Sequence, residues 1–216
     1  MKKISKLHYI TTTAALAEKA CLGGVDWIQL RLKEMAYHDY RTVAREVQAV
    51  CKAYRCTFII NDHVELALEL GADGVHIGKE DMHPDAARAV LQENFIIGCT
   101  ANTLDDILQL SGKPIDYIGL GPYRFTTTKQ KLSPLLGLEG YTSIFNRLKE
   151  LSVQPPPVVA IGGITGPDMV SLSGTGLHGV AISGGISNAA WVTDAAATFV
   201  SLCEQHFNPQ LFIQNS

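Results

Sequence analysis

The chain has 216 residues, a formal net charge of −3 and an apolar content of 46%, as expected for one larger domain with a single continuous core. Only 18% of its residues are charged, so the composition excludes extensive disorder. Its basic residues are scattered along the chain, which argues against a nucleic-acid partner because such binding needs a dense basic face.

Cysteine usage and hydropathy indicate a cytoplasmic protein. The five cysteines are odd in number and show neither Cys-x-x-Cys nor zinc-site spacing, which predicts reduced thiols that pack as small core residues. No apolar run approaches the roughly 20 residues that a membrane helix needs. The apolar segment after the basic start Met1–Lys6 is short and interrupted by His8, so we expect neither a signal peptide nor a membrane partner.

Apolar runs of strand length alternate along the chain with segments of helical periodicity. The predicted strands are Leu7–Thr12, Trp27–Lys33, Thr57–Asp62, Gly74–Gly78, Phe95–Thr100, Asp116–Gly121, Pro157–Gly163 and Gly179–Ser183. The amphipathic segments between and after them are Tyr37–Tyr54, Val64–Leu70, Pro84–Leu91, Leu104–Leu110, Glu139–Leu151, Pro167–Leu172 and Ala189–Cys203.

This alternation predicts an α/β fold, a compact (β/α)8 TIM barrel that forms a single domain over residues 1–216. Strands such as Val158–Ile161 are apolar without alternation, as expected for strands covered on both faces. An open doubly wound sheet is the alternative, but no Gly-x-Gly-x-x-Gly sequence follows an early strand. In the tail from about residue 207, the run Leu211–Ile213 suits either packing against a partner subunit in a homo-oligomer or a flexible end.

Strand two ends in three polar side chains at a spacing of two residues. Gln29, Arg31 and Lys33 share one face of an extended strand, and if that face is the interior, two cations lie near the barrel mouth. Buried cations need an anionic partner. The pattern therefore predicts either an anion site or an inward ion pair with Asp62 or Asp81.

Strands three and four are followed by carboxylates. Asn61 and Asp62 end one strand, and Asp81 follows the next. Because the carboxyl ends of barrel strands converge on one mouth, the two aspartates would suit Mg²⁺, which proteins bind through one or two carboxylates and substrate phosphates. The alternative is structural: Asp62 would cap the helix that starts near Val64, and Glu80 and Asp81 would be turn residues.

Hydroxyl groups and glycines follow the remaining strands. Thr100 ends strand five, and strand six leads into a loop with three threonines and Lys129, whose hydroxyl and ammonium groups suit phosphoryl oxygens. Glycine-rich turns follow strands seven and eight, where barrels often bind phosphate through backbone amides. The alternatives are a polar surface loop and tight turns that need positive φ. None of the seven histidines has metal-ligand spacing, and His76 is predicted to be a core or supporting residue.

Taken together, the chain resembles the thiamine-phosphate synthase family from Tyr9 to about Ile186. The resemblance rests on Gln29-Leu-Arg-Leu-Lys33, Ile60-Asn-Asp62, Gly71-Ala-Asp-Gly-Val-His-Ile-Gly78 with Glu80-Asp81, Thr126-Thr-Thr-Lys129, Gly137-Leu-Glu139, Ala160-Ile-Gly-Gly-Ile164 and Gly179-Val-Ala-Ile-Ser183. One departure is Thr100, where the family usually has serine; the hydroxyl is kept.

The resemblance implies roles for these residues. Those expected to bind the aminopyrimidine diphosphate are Gln29, Arg31, Lys33, Asn61 and Lys129, with Thr100 donating to the same anion and Asp62 and Asp81 holding Mg²⁺. Those expected to contact the thiazole phosphate are Thr126, Thr127, Thr128, Gly162, Ile182 and Ser183.

The implied reaction joins the two phosphorylated substrates into thiamine phosphate and releases pyrophosphate. Arg31, Lys33 and Lys129 would act catalytically, because with Mg²⁺ they meet the charge that grows on the leaving group. Three rivals stay open. A thiazole tautomerase of the same superfamily would not need the metal carboxylates, a Schiff-base aldolase would use Lys33, and a non-catalytic barrel would only bind thiamine precursors.

Overall fold

The computed structural model describes residues 2–125 and 134–207, and in it eight parallel strands form a closed barrel in sequential order. The strands are β1 Leu7–Thr11, β2 Trp27–Leu30, β3 Thr57–Asn61, β4 Gly74–Ile77, β5 Ile96–Ala101, β6 Tyr117–Leu120, β7 Val158–Ile161 and β8 Gly179–Ile182. The predicted (β/α)8 barrel is confirmed, and the open sheet is excluded because β8 pairs with β1.

Helices cover the outside of the barrel. They are α1 Ala14–Leu22, α2 Tyr37–Tyr54, α3 Val64–Leu70, α4 Pro84–Leu91, α5 Leu104–Leu110, α6 Gly137–Glu150, α7 Met169–Ser173, α8 Gly184–Ser187 and α9 Val192–His206, with a 3-10 turn at Gly166–Asp168. The four segments predicted from Tyr37 to Leu110 have the predicted bounds. Helix α1, to which periodicity gave no bounds, begins after Thr13, whose hydroxyl accepts a hydrogen bond from the Leu16 N–H.

The strands are buried on both faces because they separate two cores. Outward side chains pack with the helices, whereas Ile10, Trp27, Ile59, Tyr117 and Val159 form a second apolar cluster inside the barrel. Above this cluster, towards the carboxyl ends of the strands, the interior becomes polar with the buried side chains of Gln29, Asn61 and His76. The apolar cluster thus supports a polar mouth.

Strand two is shorter than predicted, and this changes where two site residues lie. The strand ends at Leu30, although the Arg31 N–H still donates to the Thr11 carbonyl at 3.0 Å. The chain then turns, and Glu34 adopts a φ of 55°. Arg31 is half-buried and Lys33 exposed, so the prediction that Lys33 shares the interior face with Gln29 is wrong, whereas the prediction for Arg31 stays open.

Other boundaries differ from the predictions as well. Helix α6 spans Gly137–Glu150 rather than Glu139–Leu151, and the strands other than β2 begin or end one or two residues from the predicted bounds. Helix α9 begins at Val192 rather than Ala189, and the short α8 precedes it. The predicted helix at Pro167–Leu172 is a 3-10 turn followed by α7.

All five cysteines are buried and free, as predicted. Among the residues that the structure describes, no helix is long and apolar enough to cross a membrane.

Candidate active site

Two interlocked amides lie at the base of the mouth. Gln29 on β2 donates from Nε2 to Oδ1 of Asn61 on β3 at 2.8 Å, and both side chains are buried. The hydroxyl of Tyr40 in α2 donates to the carbonyls of Leu30 and Asn61, at 2.8 and 3.3 Å, which fixes the ends of both strands. The pair leaves the Gln29 carbonyl oxygen as an acceptor and the Asn61 amide as a donor for a ligand.

The carboxylates of Asp62 and Asp81 lie close enough to interact. Burial, followed by the interaction with Asp81, raises the pKa of Asp62 to about 7, whereas Arg31 and Lys33 lower it. Asp62 is half-buried and Asp81 is exposed, and two acidic side chains this close together favour a proton or a cation between them. The structure thus brings the two predicted metal ligands together.

Backbone contacts fix this pair in place. Asp62 has a φ of 66°, a left-handed conformation that aspartate and asparagine tolerate, and its N–H donates to the His76 carbonyl at 2.8 Å. The alternative role of Asp62 as a helix cap is wrong, because His63 is the N-cap of α3 and no side-chain cap bond forms. Asp81 partly fits the alternative of a turn residue, since its Oδ2 accepts the Gly78 N–H at 2.6 Å.

Arg31 and Lys33 face the same carboxylates without closing an ion pair. Both act electrostatically on Asp62, but within residues 2–125 and 134–207 neither has a carboxylate oxygen within 4.0 Å. The alternative of an inward ion pair is therefore not found there. Burial lowers the pKa of Arg31, but a guanidinium stays charged in proteins, so the mouth holds cations that a ligand can use.

A hydrogen-bonded chain runs from the barrel interior to Thr100. The Tyr117 hydroxyl lies 3.0 Å from His76 Nδ1, and His76 Nε2 lies 3.0 Å from Thr100 Oγ1. Burial raises the pKa of Tyr117 well above its usual range, so the phenol stays neutral. The His76 ring thus links Tyr117 to Thr100 and holds the Thr100 side chain in place at the mouth.

These hydrogen bonds agree with the prediction that His76 is a core or supporting residue. The sequence did not reveal its partner Tyr117. The glycines that face the barrel interior could have indicated the position of Tyr117. A Cβ at Gly98 would meet Tyr117 Cζ at 2.1 Å, and one at Gly119 would meet His76 Cε1 at 3.0 Å. Large inward side chains beside inward glycines indicate that the rings fill the glycine positions.

The turns after β7 and β8 form the opposite side of the mouth. Gly162 and Gly163 have φ values of 107° and 65°, so the alternative of tight turns with positive φ is correct for them. Ser183 directly precedes α8, and the Tyr9 hydroxyl lies 2.8 Å from Ser187 Oγ, which ties α8 to β1. The Ile182 side chain packs in the outer core, so only its main chain is available to a ligand.

A further residue pair that the sequence did not reveal holds the β6 loop. Arg124 donates from Nη1 and Nη2 to the two oxygens of Asp168, at 2.5 and 2.6 Å, and Thr165 Oγ1 donates to the same carboxylate at 2.7 Å. In the sequence, Arg124 directly precedes the loop with the predicted phosphate-binding residues Thr126, Thr127, Thr128 and Lys129, which lie outside the described residues.

We expect Asp168→Asn to lower the melting temperature by about 5 °C at pH 7, because a bidentate charged pair is lost. Arg124 and Thr165 hold the pKa of Asp168 well below its usual range. A depressed folded-state pKa gives stability that is present above the unfolded value near 3.9 and is lost as the pH falls through the folded value. The difference between wild type and variant should thus persist above pH ~5 and disappear in strong acid.

The matched control is Glu150→Gln. Glu150 accepts from Arg147 Nη1 at 2.6 Å on the exposed surface of α6, where such pairs contribute little. Thermal unfolding monitored across pH would contradict the assignment if the two variants behaved alike.

Comparison with known proteins identifies close relatives. The family model described as thiamine monophosphate synthase matches residues 4–186. A thiamine-phosphate synthase of Bacteroides thetaiotaomicron is 51% identical over 167 residues, which cover 77% of this chain and 79% of the relative. That of Flavobacterium johnsoniae is 44% identical over 191 residues, which cover 86% and 90%.

Solved structures agree with the sequence relatives. A thiamine phosphate pyrophosphorylase from Pyrococcus furiosus superposes with a TM-score of 0.82 at 29% identity and covers 94% of this chain and 97% of its own. A structure described as native KDPGal has a TM-score of 0.69 at 14% identity, covers 95% of this chain and 98% of its own, and shares the fold alone.

Proposed function

The chain belongs to the thiamine monophosphate synthase family, and we propose that its mouth joins an aminopyrimidine diphosphate to a thiazole phosphate with the help of Mg²⁺. It is an enzyme, a transferase that forms thiamine phosphate and releases diphosphate. The observation that supports the site is that Asp62 and Asp81 lie together beside Arg31 and Lys33, two cations that form no ion pair within the part of the chain that the structure describes.

The donor set fits Mg²⁺ better than other metals. Among the residues described, no group of three or more histidine, cysteine, aspartate or glutamate side chains could hold a metal ion. Two carboxylates are what Mg²⁺ usually takes from a protein, because it keeps water and substrate phosphate oxygens in its remaining positions. In our proposal Asp62 and Asp81 hold the ion, which when bound neutralises charge on the diphosphate.

The basic residues of the mouth supply the rest of the charge compensation. Arg31 and Lys33 lie near Asp62, so a diphosphate held at the aspartates comes within their reach. In our proposal these two cations and Lys129 donate to the diphosphate oxygens as the bond to the pyrimidinylmethyl carbon breaks. The partly buried position of Arg31 strengthens its part, since less water screens it.

The amide pair recognises the pyrimidine in this proposal. The Gln29 carbonyl oxygen accepts from the amino group, and the Asn61 amide donates to the pyrimidine substrate. Because Gln29 and Asn61 already bind each other, their orientations are fixed before the substrate arrives. Thr100, oriented by His76, donates to the diphosphate.

The thiazole phosphate is placed opposite, against the turns after β7 and β8. Main-chain groups at Gly162 and Ile182, with the Ser183 hydroxyl, suit it, because barrels commonly bind phosphate there at a short extra helix such as α8. Thr126, Thr127 and Thr128 complete this part of the proposal. The attacking thiazole nitrogen carries no proton, so the reaction needs no general base.

The rival functions gain no support. A Schiff-base aldolase would need a desolvated lysine, but Lys33 is exposed. A tautomerase or a precursor-binding barrel would not need two neighbouring carboxylates with two cations beside them. The family membership does not favour any of the three.

The proposed function is tested by release of pyrophosphate from the purified protein. We expect release only when both substrates and Mg²⁺ are present, with each substrate alone and an excess of chelator as controls. Activity that survives the chelator would remove Mg²⁺ from the proposal, and no release at all would contradict the function.

We further propose that the enzyme works in the cytoplasm on small phosphorylated molecules, without nucleic acid or membrane, and as a potential homo-oligomer. The scattered basic residues and free buried cysteines support the first part. Size-exclusion chromatography with light scattering tests the oligomeric state.

A further inference from the structure

A cavity of about 1030 Å³ lies at the end of the barrel opposite to the mouth. Its wall is built from the segments that lead into three strands: Lys6 before β1, residues 152–157 before β7, and residues 173–178 before β8. Helix α6 and the end of α9 close it on the outside. Because the carboxyl ends of the strands form the mouth, this cavity shares no residue with the proposed active site.

The charged groups that line the cavity are all basic. They are Lys6 and Lys149, with the histidines His178 and His206 beside them, and no aspartate or glutamate is among the described residues that line the cavity. Over residues 2–125 and 134–207, neither lysine has a carboxylate oxygen within 4.0 Å. The neighbouring Glu150 is engaged by Arg147 at 2.6 Å. In a protein of net charge −3, such a wall is a local anion-binding environment.

The ammonium group of Lys6 is hydrogen-bonded to the neutral ring of His178. His178 Nε2 lies 2.9 Å from the Ile4 carbonyl and must donate to it, so Nδ1 of the neutral ring is an acceptor and lies 3.1 Å from Lys6 Nζ. This bond uses one of the three ammonium protons and leaves two for a ligand. Burial lowers the pKa of Lys6 and of His178, as expected for cations that have no anion beside them.

One part of the wall is apolar and shaped by a glycine. Gly176 has a φ of 100°, and a Cβ there would meet Phe145 Cδ1 at 2.9 Å, so the ring needs the space that glycine leaves. Leu148, Val153 and Phe207 also line the cavity. A ligand that reaches Lys6 would thus lay an apolar body against aromatic and aliphatic side chains.

We propose that this cavity is a second ligand site, which takes a small phosphate monoester with a planar apolar body. Lys6 has two N–H donors left for a ligand, Lys149 and His206 line the same cavity, and a phosphate has enough acceptor oxygens to bind more than one donor. Its binding does not depend on the chemistry proposed at the mouth.

Phenyl phosphate is the probe, and the full chain is used without Mg²⁺. In NMR spectra we expect saturable shifts of the Hε1 signals of His178 and His206 at millimolar probe. Lys6→Met should weaken binding about tenfold, as expected for the loss of one charge-assisted hydrogen bond, and Lys6→Arg should restore most of it. Should Lys6→Met not fold, Lys149→Met tests the same wall.

Two controls separate this site from others. Lys113→Met removes an exposed lysine that pairs with Asp85 at 2.9 Å and should leave the histidine shifts unchanged. Lys33→Met removes a cation of the mouth and should also leave them unchanged. Loss of the shifts in Lys33→Met, equal affinity in Lys6→Met, or the absence of saturable shifts would each overturn the proposal.

Discussion

Asp62→Asn is expected to lower kcat by a factor of about 100 to 1000, because removing a metal-held charge from the transition state has an effect of this size. Asparagine keeps the shape of the side chain and tolerates the left-handed backbone at this position, where φ is 66°. The fold should therefore survive. Pyrophosphate release at saturating substrate gives kcat, and a titration with Mg²⁺ should show weaker activation.

The matched control for this variant is Asp85→Asn. Asp85 lies at the start of α4 on the exposed surface and pairs with Lys113, so its loss should leave kcat within about twofold, as is usual for surface changes. If Asp62→Asn were as active as the wild type, Asp62 would not be a metal ligand, and its position beside Asp81 would have no role in catalysis.

The same variant should become more stable in the absence of metal. Burial and Asp81 raise the pKa of Asp62 to about 7, above the unfolded value near 3.9. A raised folded-state pKa gives stability that is present below the unfolded value and is lost as the pH rises through the folded one. In chelator at pH 8 we thus expect Asp62→Asn to melt a few degrees above wild type. The gain should shrink as the pH falls below about 7 and disappear only below about pH 4. Lower activity with higher metal-free stability distinguishes a ligand from a structural residue.

The barrel and the proximity of Asp62 to Asp81 could both be predicted from the sequence, and for the same reason. Apolar runs place the strands, and once the strands are parallel and sequential, their carboxyl ends must converge. The prediction for Lys33 was wrong because a period of two was continued beyond the end of the strand. Where a strand ends depends on ladder bonds and on turns such as the one at Glu34, which hydropathy does not report.

The contacts that the sequence missed depend on tertiary structure. Arg124 and Asp168 are 44 residues apart in irregular segments, so no periodicity links them. Helix α8 has the sequence Gly-Gly-Ile-Ser, which is a weak helix former, and the contact of Ser187 with Tyr9 holds it against the barrel. Such elements form because the rest of the barrel provides the contacts that hold them in place.

Gly162→Ala is expected to lower kcat/KM at least about 100-fold and the free energy of unfolding by about 2–4 kcal/mol, from backbone strain and overpacking together. The φ of Gly162 is 107°, and a Cβ would meet the Pro122 Cβ at 2.8 Å and the Tyr123 nitrogen at 3.1 Å. The carbonyls of Ile161 and Gly162 accept the N–H groups of Tyr123 and Arg124, both at 2.9 Å. Relief of this clash would therefore move Tyr123 and Arg124, the stem of the loop that contains Lys129.

The control lies four residues along the same turn. A Cβ at Gly166 would meet only Leu202 Cδ1, at an ordinary 3.5 Å, so Gly166→Ala should change stability by no more than about 0.5 kcal/mol and leave kcat/KM nearly unchanged. Denaturant unfolding and steady-state kinetics measure both variants. If Gly162→Ala lost stability but kept kcat/KM, the stem would matter for folding only. The thiazole phosphate would then have to be bound without the turn after β7, and the two-sided arrangement of the mouth would be wrong.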